Sequence, residues 1–600
     1  MNKVEISKKI EGIHGSDKEQ LEFIFSEDKR LIVTAPAGCG KTKSMVSKIA
    51  YEIVSNEKIN FKKILALTFS INAAAKIKED TQEILPLLLG KDLDVAKKLS
   101  VSNYHNFSMK LIRRHGHIIN ENLADIDSFL IVPESAREIM RKLTESEHSI
   151  LLNYDSYLKQ INIEKLVELE KDYLKILKEK LIPNNIMTFN GLLLIAVSLL
   201  GIKTIRSFYQ KYFYMVIVDE FQDTNYLSYR LITSLIGENK IILMGDDIQK
   251  IYGFLGAIPS LFSEMASRYK MKEIEFKTNH RFKENKNMSE LDRYLRGIFK
   301  NYEKIELYEE KAIANFKFFK TTSGEAKFIV NHILQKTANG KKASVLVRAG
   351  FAASHVINEL EKREIPYFNG LFSDQNPEYI MFHDITLTLF IEESGLGKAV
   401  SQKVLNKVLS RLVENRNIII NNPANMYIFD SLYRLVEVLF QSLKYSGLTK
   451  IEKHNKVMFI LANGSLKHLL NEMDELITLT TIHGSKGLEW DYVYLPEMTS
   501  YIFPSSRSIC SDCGRNGGNT LYEKTCEFNF LSQFKTRFEE ELSLFYVAVT
   551  RAKQDVYLFA NMDRNRFGHS KRASCLVRLP NLELRTDFEK MDLKRDIAKT

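Results

Sequence analysis

Cysteine and tryptophan are scarce in this sequence, with five and one among 600 residues. So few cysteines in so long a chain do not make a disulfide framework, and a reducing compartment is expected. Long apolar runs are missing too. No stretch of about eighteen apolar residues occurs, so no membrane-spanning helix is expected. The opening residues MNKVEISKKIEGIHG lack the apolar core of a signal peptide, and a cytoplasmic location follows as the expectation. No internal repeat and no long low-complexity linker break the chain, so its domains should be interwoven rather than beaded. What is present is ordinary for a globular protein: 44% hydrophobic and 27% charged residues. Six hundred residues exceed a single core, so several domains are expected. The net charge of +10 leans toward a polyanionic partner such as nucleic acid, although a generally lysine-rich solvated surface gives the same number.

One stretch organises the rest. Ala35-Pro36-Ala37-Gly38-Cys39-Gly40-Lys41-Thr42 follows the apolar run Leu31–Thr34 and precedes a helical pattern over Ser44–Ile53. Strand, glycine-containing loop and a helix opening on Lys-Thr form the context of a phosphate-binding loop. Backbone N–H groups and the helix N-terminus would cradle phosphate oxygens. Lys41 would reach the β- and γ-phosphates, and the Thr42 hydroxyl would bind Mg²⁺. Ala35 stands where the usual first glycine would be.

Around this loop, further strands end in polar residues. Residues 16–29 have the pattern of an amphipathic helix capped by Ser16 or Asp17, and the Gln20 amide on it could read an adenine edge. Ile64–Ser70 predicts a buried strand that brings Thr68, Phe69 and Ser70 to a binding edge. Val101–Phe107 offers Tyr, His and Phe either as base-stacking groups or as a core cluster. Residues 109–200 have a helical texture, with a helix over Ile161–Leu181. Tyr214–Glu220 is a strand ending in Asp219-Glu220, where Asp219 can hold Mg²⁺ and Glu220 can activate water. Ile241–Gln249 is another; its Gln249 is placed to sense a γ-phosphate, and Tyr252 and Phe254 follow as a stacking platform. Arg281, expected on a strand end, is a candidate phosphate clamp.

A second sheet is expected beyond about residue 290, with strands over Ser344–Arg348, Ile365–Phe368, Ile477–Ile482 and Asp491–Met498. Residues 376–470 between them are mostly helical. The loop Gly484-Ser485-Lys486-Gly487 before Trp490 suits a nucleic-acid phosphate. A helix through Tyr546–Ala552 carries Arg551, an arginine-finger candidate that a surface salt bridge would equally explain.

As a set, Gln20, APAGCGKT, LTFSINAAA, DEFQDTN, MGDDIQKIYGFLGA, TNHR, TIHGSKGLEW and EEELSLFYVAVTRA resemble the superfamily 1 helicases of the UvrD/Rep/PcrA type, in the order of that family. The resemblance implies an α/β fold of two RecA-like P-loop lobes with parallel sheets, each interrupted by an inserted, mainly helical subdomain. The corresponding division is 1–105 with 201–285, 106–200, 286–375 with 471–565, 376–470, and a tail over 566–600. It implies a nucleotide site in which Ala35, Pro36, Ala37, Gly38, Cys39, Gly40, Lys41, Thr42 and Lys43 form the loop. Gln20 and His280 would flank adenine, Glu489 would approach the ribose, and Asp219, Glu220, Gln249, Arg281 and Arg551 would surround the phosphates and Mg²⁺. Thr68, Phe69, His105, Tyr252, Phe254, His483 and Trp490 would lie along single-stranded DNA.

The sequence departs from the family at several points. His280 stands for the usual Tyr, Phe254 for a Trp, Leu255 for an Arg, and Asn190-Gly191 for an acidic pair. The second insertion is short, about ninety residues. Cys510, Cys513 and Cys526 have part of a zinc-knuckle spacing, with His569 or Cys575 as distant fourth ligands; unligated thiols in a surface loop are the other reading.

The implied activity is an ATP-driven 3′→5′ motor on single-stranded DNA that unwinds duplex in repair, replication or defence. The alternative is an ATP-dependent switch or motor subunit beside a separate nuclease partner. A P-loop kinase or GTPase would have no reason to carry TIHGSKGLEW and VAVTRA.

Overall fold

The computed structural model describes residues 2–56, 59, 61–68, 71–89, 98–249, 258, 261–372, 376–395, 400–420, 422, 425–445, 450–462, 464, 466–505, 532–564, 568 and 570–588. The chain divides into two units, Met1–Arg281 and Phe282–Thr600.

The first unit is built on a six-stranded sheet. Its strands are β1 (Arg30–Thr34), β2 (Lys63–Thr68), β3 (Leu99–Asn103), β6 (Phe213–Val218), β7 (Lys240–Gly245) and β8 (Lys272–Glu275), in the order β3-β2-β6-β7-β1-β8. Every pairing is parallel. A parallel sheet covered on both faces needs strands apolar throughout. The run Phe-Tyr-Met-Val-Ile-Val of β6 is accordingly buried at every position. A small parallel pair, β4 (Leu130–Val132) with β5 (Ile186–Thr188), lies in the segment between β3 and β6 together with helices that include Glu145–Lys159, Ile163–Ile176 and Phe189–Gly201.

Local chemistry sets several boundaries. Asp17 caps a helix confined to Lys18–Phe25, because its Oδ1 accepts from Gln20 N at 3.0 Å. A preceding helix, Lys3–His14, starts on a reciprocal Asn2–Glu5 capping box. Within the candidate edge Val101–Phe107, β3 stops at Asn103, whose side chain caps the helix Tyr104–His115. Tyr104 and Phe107 are therefore core residues of that helix and not stacking groups. Arg281 lies in irregular chain six residues beyond β8, not on a strand end.

The second unit holds a seven-stranded sheet in the order β11-β12-β10-β13-β14-β9-β15. Its strands are β9 (Ala312–Phe319), β10 (Ala343–Val347), β11 (Phe368–Gly370), β12 (Ile477–Thr481), β13 (Trp490–Leu495), β14 (Ala552–Asn561) and β15 (Leu582–Arg585). These pairings are parallel as well. β9 and β15 had no expectation; β9 alternates buried and half-buried residues, which hides it from a search for continuous apolar runs. Helices including Pro377–Ser394, Gln402–Glu414, Met426–Tyr445 and Lys450–Ala462 occupy the chain between β11 and β12. Among the described residues no single helix is long and apolar enough to cross a membrane.

Candidate nucleotide and nucleic-acid sites

The strands of the first unit deliver their polar ends to one edge of its sheet. The loop after β1 is held by Ala35 N donating to Gly245 O at 2.7 Å and Cys39 N to Pro36 O at 3.1 Å. Gly38 and Gly40 take φ of +84° and +74°, a region that side chains disfavour. Gly40 sits at the N-cap of the helix Lys41–Ser55, so Lys41 and Thr42 open its first turn.

Lys41 Nζ lies 3.1 Å from Asp219 Oδ1 and 2.5 Å from Glu220 Oε1. Burial disfavours the ammonium, but the two carboxylates outweigh it and hold the Lys41 pKa above the ordinary lysine value. Burial raises the Asp219 pKa, with Lys41 opposing and Glu220 adding to the rise. Asp219 Oδ1 is buried and accepts no hydrogen bond among the described residues beyond its ion pair with Lys41. A buried carboxylate oxygen with spare lone pairs and a threonine hydroxyl in the first turn of the helix are the donor chemistry a hard divalent cation takes. Thr42 and Asp219 thus fit Mg²⁺.

Glu220 adopts φ +52°, a left-handed backbone that is costly for a residue with a side chain and that turns the chain sharply at the end of β6. Its other oxygen, Oε2, accepts from Gln222 Nε2 at 2.5 Å. Gln222 Oε1 accepts from Asp246 N at 3.1 Å, and Asp246 Oδ2 accepts from Gln249 Nε2 at 2.8 Å. A chain of side-chain bonds thus links Glu220 to Gln249. Gln222 and Asp246 lie within the motifs DEFQDTN and MGDDIQKIYGFLGA, but no role was expected of either side chain; their place between Glu220 and Gln249 comes from the tertiary contacts.

The segment 279–281 is tied to the phosphate loop. Asn279 Nδ2 donates to Ala37 O at 3.0 Å, His280 N to Gly38 O at 2.9 Å, and Arg281 N to Asn279 Oδ1 at 3.0 Å. Gln20 joins from the other side, its Nε2 donating to Cys39 O at 2.8 Å and lying 2.9 Å from His280 Nε2. Lys43 turns away, its Nζ donating to Ile13 O at 3.3 Å. The structure of the first unit therefore brings Gln20, the loop 35–42, Asp219, Glu220, Gln249, His280 and Arg281 to one region.

Among the expected DNA contacts of this unit, Thr68 ends β2 with its hydroxyl buried and unbonded among the described residues. His105 stacks edge-on to Phe189 at 5.6 Å, and burial pushes its pKa down to about 4, so its ring is neutral. Phe69, Tyr252 and Phe254 lie outside the described residues. Next to Phe189, Asn190 stands in place of an acidic residue, yet it meets two carboxylates. Its N–H donates to Glu134 Oε1 at 3.1 Å and its Nδ2 to Asp155 Oδ1 at 3.1 Å. The acids arrive here from other elements.

In the second unit, Trp490 opens β13 with only 5% exposure, so its indole faces are covered. Arg551 is 4% exposed. Its Nε donates to Val547 O at 3.1 Å, Nη1 to Leu488 O at 3.3 Å and Nη2 to Thr550 Oγ1 at 3.2 Å. Leu488 immediately precedes Glu489, which is half-buried. His483 is held neutral, its pKa lowered to about 4 by burial and by Arg348, Lys467 and Lys486. Cys510, Cys513, Cys526 and His569 lie outside the described residues, while Cys39 and Cys575 are buried. Among the described residues no group of His, Cys, Asp and Glu could hold a metal as a cluster of three.

Comparison with known proteins identifies the domains. Residues 16–270 match the UvrD/REP helicase N-terminal domain, and residues 398–562 match the UvrD-like helicase C-terminal domain. The ATP-dependent DNA helicase PcrA of Staphylococcus aureus (strain MRSA252) is 24% identical, over 92% of this chain and 84% of that protein. PcrA of Staphylococcus epidermidis (strain ATCC 12228 / FDA PCI 1200) is 23% identical, over 93% and 85%. The solved structure of S. cerevisiae Dbp5 bound to RNA and ADP BeF3 aligns over 99% of this chain and 96% of its own at 10% identity, with a TM-score of 0.37, a likeness too slight to support a conclusion.

Proposed function

The chain belongs to the UvrD-like ATP-dependent DNA helicases, and from that premise we propose a motor that moves 3′→5′ along single-stranded DNA. The observation that carries the reading is the Lys41–Asp219–Glu220 cluster at the ends of β1 and β6. In this reading Lys41 and Arg281 neutralise charge on the transferring phosphoryl group, and Glu220 accepts the proton of the attacking water. Gln249 senses the γ-phosphate and signals through Asp246 and Gln222 to Glu220. Arg551 supplies a further positive charge, and Glu489 meets the ribose. When bound, Mg²⁺ would be held by Thr42 and Asp219 and would offset phosphate charge. Thr68, Phe69, His105, Tyr252, Phe254 and His483 are proposed for the DNA path, with little sequence preference, while Trp490, whose indole is covered, is proposed to shape that path from beneath and not to stack on a base. The lobe and insertion boundaries given above are proposed with the same reading, as is a cytoplasmic setting.

The short helical segment between β11 and β12 favours a second arrangement, in which a partner protein with nuclease activity completes the machine. The test is steady-state ATP hydrolysis with and without single-stranded DNA, with Lys41→Ala as control, followed by unwinding of 3′- and 5′-tailed duplexes. Strong stimulation by DNA and unwinding from 3′ tails support the motor. Hydrolysis indifferent to DNA overturns it, and unwinding from 5′ tails overturns the polarity. Stimulated hydrolysis without unwinding by the chain alone favours the partner-dependent arrangement.

A further inference from the structure

The amide of Gln20 is 2% exposed and engaged on both of its polar atoms. Oε1 faces His14 Nδ1, while Nε2 faces the Cys39 carbonyl and His280 Nε2. His14 is buried and its Nε2 lies 2.8 Å from Ser47 Oγ. Asp17 does two things: its Oδ1 caps the helix that carries Gln20, and its Oδ2 lies 2.8 Å from His280 Nε2. A Cβ on Gly40 would meet Gln20 Nε2 at 2.7 Å, so the phosphate loop and the amide are in close contact.

Donor and acceptor chemistry fixes this network. The Cys39 carbonyl can only accept, so the amide group facing it is the NH₂, and Oε1 must face His14. His14 Nδ1 must then donate and Nε2 accept from the Ser47 hydroxyl. That is one tautomer of a neutral ring, and burial lowers the His14 pKa accordingly. The reversed amide would set Oε1 against the Cys39 oxygen, acceptor against acceptor, and would require His14 to give up its Nδ1 proton and take the other tautomer. His280 is the member with a choice: its Nε2 can accept from Gln20 or donate to Asp17, not both. It is also the exposed member, with 39% of its side chain accessible against 3% for Asp17.

An adenine edge offers N7 as acceptor and the N6 amine as donor, whereas guanine offers two acceptors, N7 and O6. Fixed as it is, Gln20 presents an N–H and a spare lone pair on Oε1, which matches adenine and opposes guanine O6. We propose that His14 and Asp17 are positioning residues for nucleobase selection: His14 locks the Gln20 amide in the adenine-reading orientation, and Asp17 draws His280 away so that Gln20 Nε2 can be given to the base. This rests on the ATP-site reading above and adds to it a layer of residues that do not touch nucleotide.

The test uses the full chain and compares calorimetric binding of ADP and GDP with kcat and KM for ATP. His14→Phe removes the donor, His14→Gln retains one, and Asp17→Asn keeps the helix cap while removing the charge. The expected result for His14→Phe is ADP binding weakened about tenfold with GDP binding unchanged, the loss reaching KM and not kcat. His14→Gln should restore the ADP preference, and Asp17→Asn should weaken ADP about threefold to tenfold. A merely structural role would lower thermal stability and kcat without moving the ADP-to-GDP ratio. An unchanged ratio in both His14→Phe and Asp17→Asn, with wild-type ADP binding intact, overturns the inference. If His14→Phe does not fold, an unchanged ratio in Asp17→Asn alone overturns it. A wild-type chain that binds neither nucleotide overturns the ATP-site reading itself, a result distinct from the others.

Discussion

Lys41 and Glu220 form an ion pair of 2.5 Å at the centre of the first unit's sheet edge, and the same ammonium serves buried Asp219 at 3.1 Å. One cation therefore balances two adjacent carboxylates, and each member sets the charge state of the others.

Removing that cation should cost stability as well as activity. Lys41→Ala leaves Asp219 buried without its counter-charge, which is worth about 3 kcal/mol in comparable pairs. Lys41→Ala is expected to lower the Tm and to reduce ATP hydrolysis by at least about a hundredfold. Adding Asp219→Asn should recover part of the Tm and none of the hydrolysis. Thermal melts of the single and double variants check this.

Glu220 can be tested apart from binding. Glu220→Gln keeps the shape and a contact to Gln222 but removes the proton acceptor. Hydrolysis should fall by about 10² to 10⁴-fold, with ADP affinity within about threefold of wild type by calorimetry.

The Arg551 guanidinium donates to two backbone carbonyls and a threonine hydroxyl of its own unit. Arg551→Lys keeps a charge but cannot span Val547 O and Leu488 O. Its kcat should fall on the order of a thousandfold, as for an arginine finger, with a smaller loss of Tm than Arg551→Ala. Arg551→Ala should lower both. A kcat within threefold of wild type for Arg551→Lys would remove the residue from the catalytic proposal.

Two buried carboxyls predict how stability responds to pH. Burial raises Glu134 to about 7, with Asp155 nearby adding to it. Burial raises Glu325 to about 8, with Glu497 adding. Both sit above the ordinary 4.5, so the folded chain holds these protons more tightly than the unfolded one. The stability they contribute is complete below about pH 4.5 and is lost as pH rises through 7 for Glu134 and through 8 for Glu325. Each shift is worth at most about 3 to 5 kcal/mol. Urea midpoints measured from pH 5 to 9 should fall for the wild type, and Glu134→Gln and Glu325→Gln should each flatten part of that fall.

Restoring an acid at position 191 should fail. A Cβ on Gly191 would meet Thr188 Oγ1, the cap of the same helix, at 2.5 Å and Leu177 Cδ2 at 3.0 Å. Gly191→Asp also brings a charge toward Glu134 and Asp155. A loss of about 1 to 3 kcal/mol is expected from denaturant titration.

The sequence by itself determined the strand–loop–helix at 30–55, the acidic end of β6 and the polar end of β7, because these depend on local signals. Apolar runs bury a parallel strand on both faces, and glycines permit φ values that other residues resist. The alternation of two sheets with two helical segments was legible on the same grounds, except for β9 and β15, whose patterns are mixed, and for the three-residue strands β4 and β5 inside a segment expected to be helical. Only the tertiary structure decided which side chains meet. Gln20 and His280 are 260 residues apart, Asn190 and Glu134 are 56, and no local pattern encodes either contact. The same holds for Trp490 and Arg551, whose residue types suggested exposed work and whose side chains are packed inside. Burial and partner choice come from how distant elements stack, and that is settled by the whole core at once.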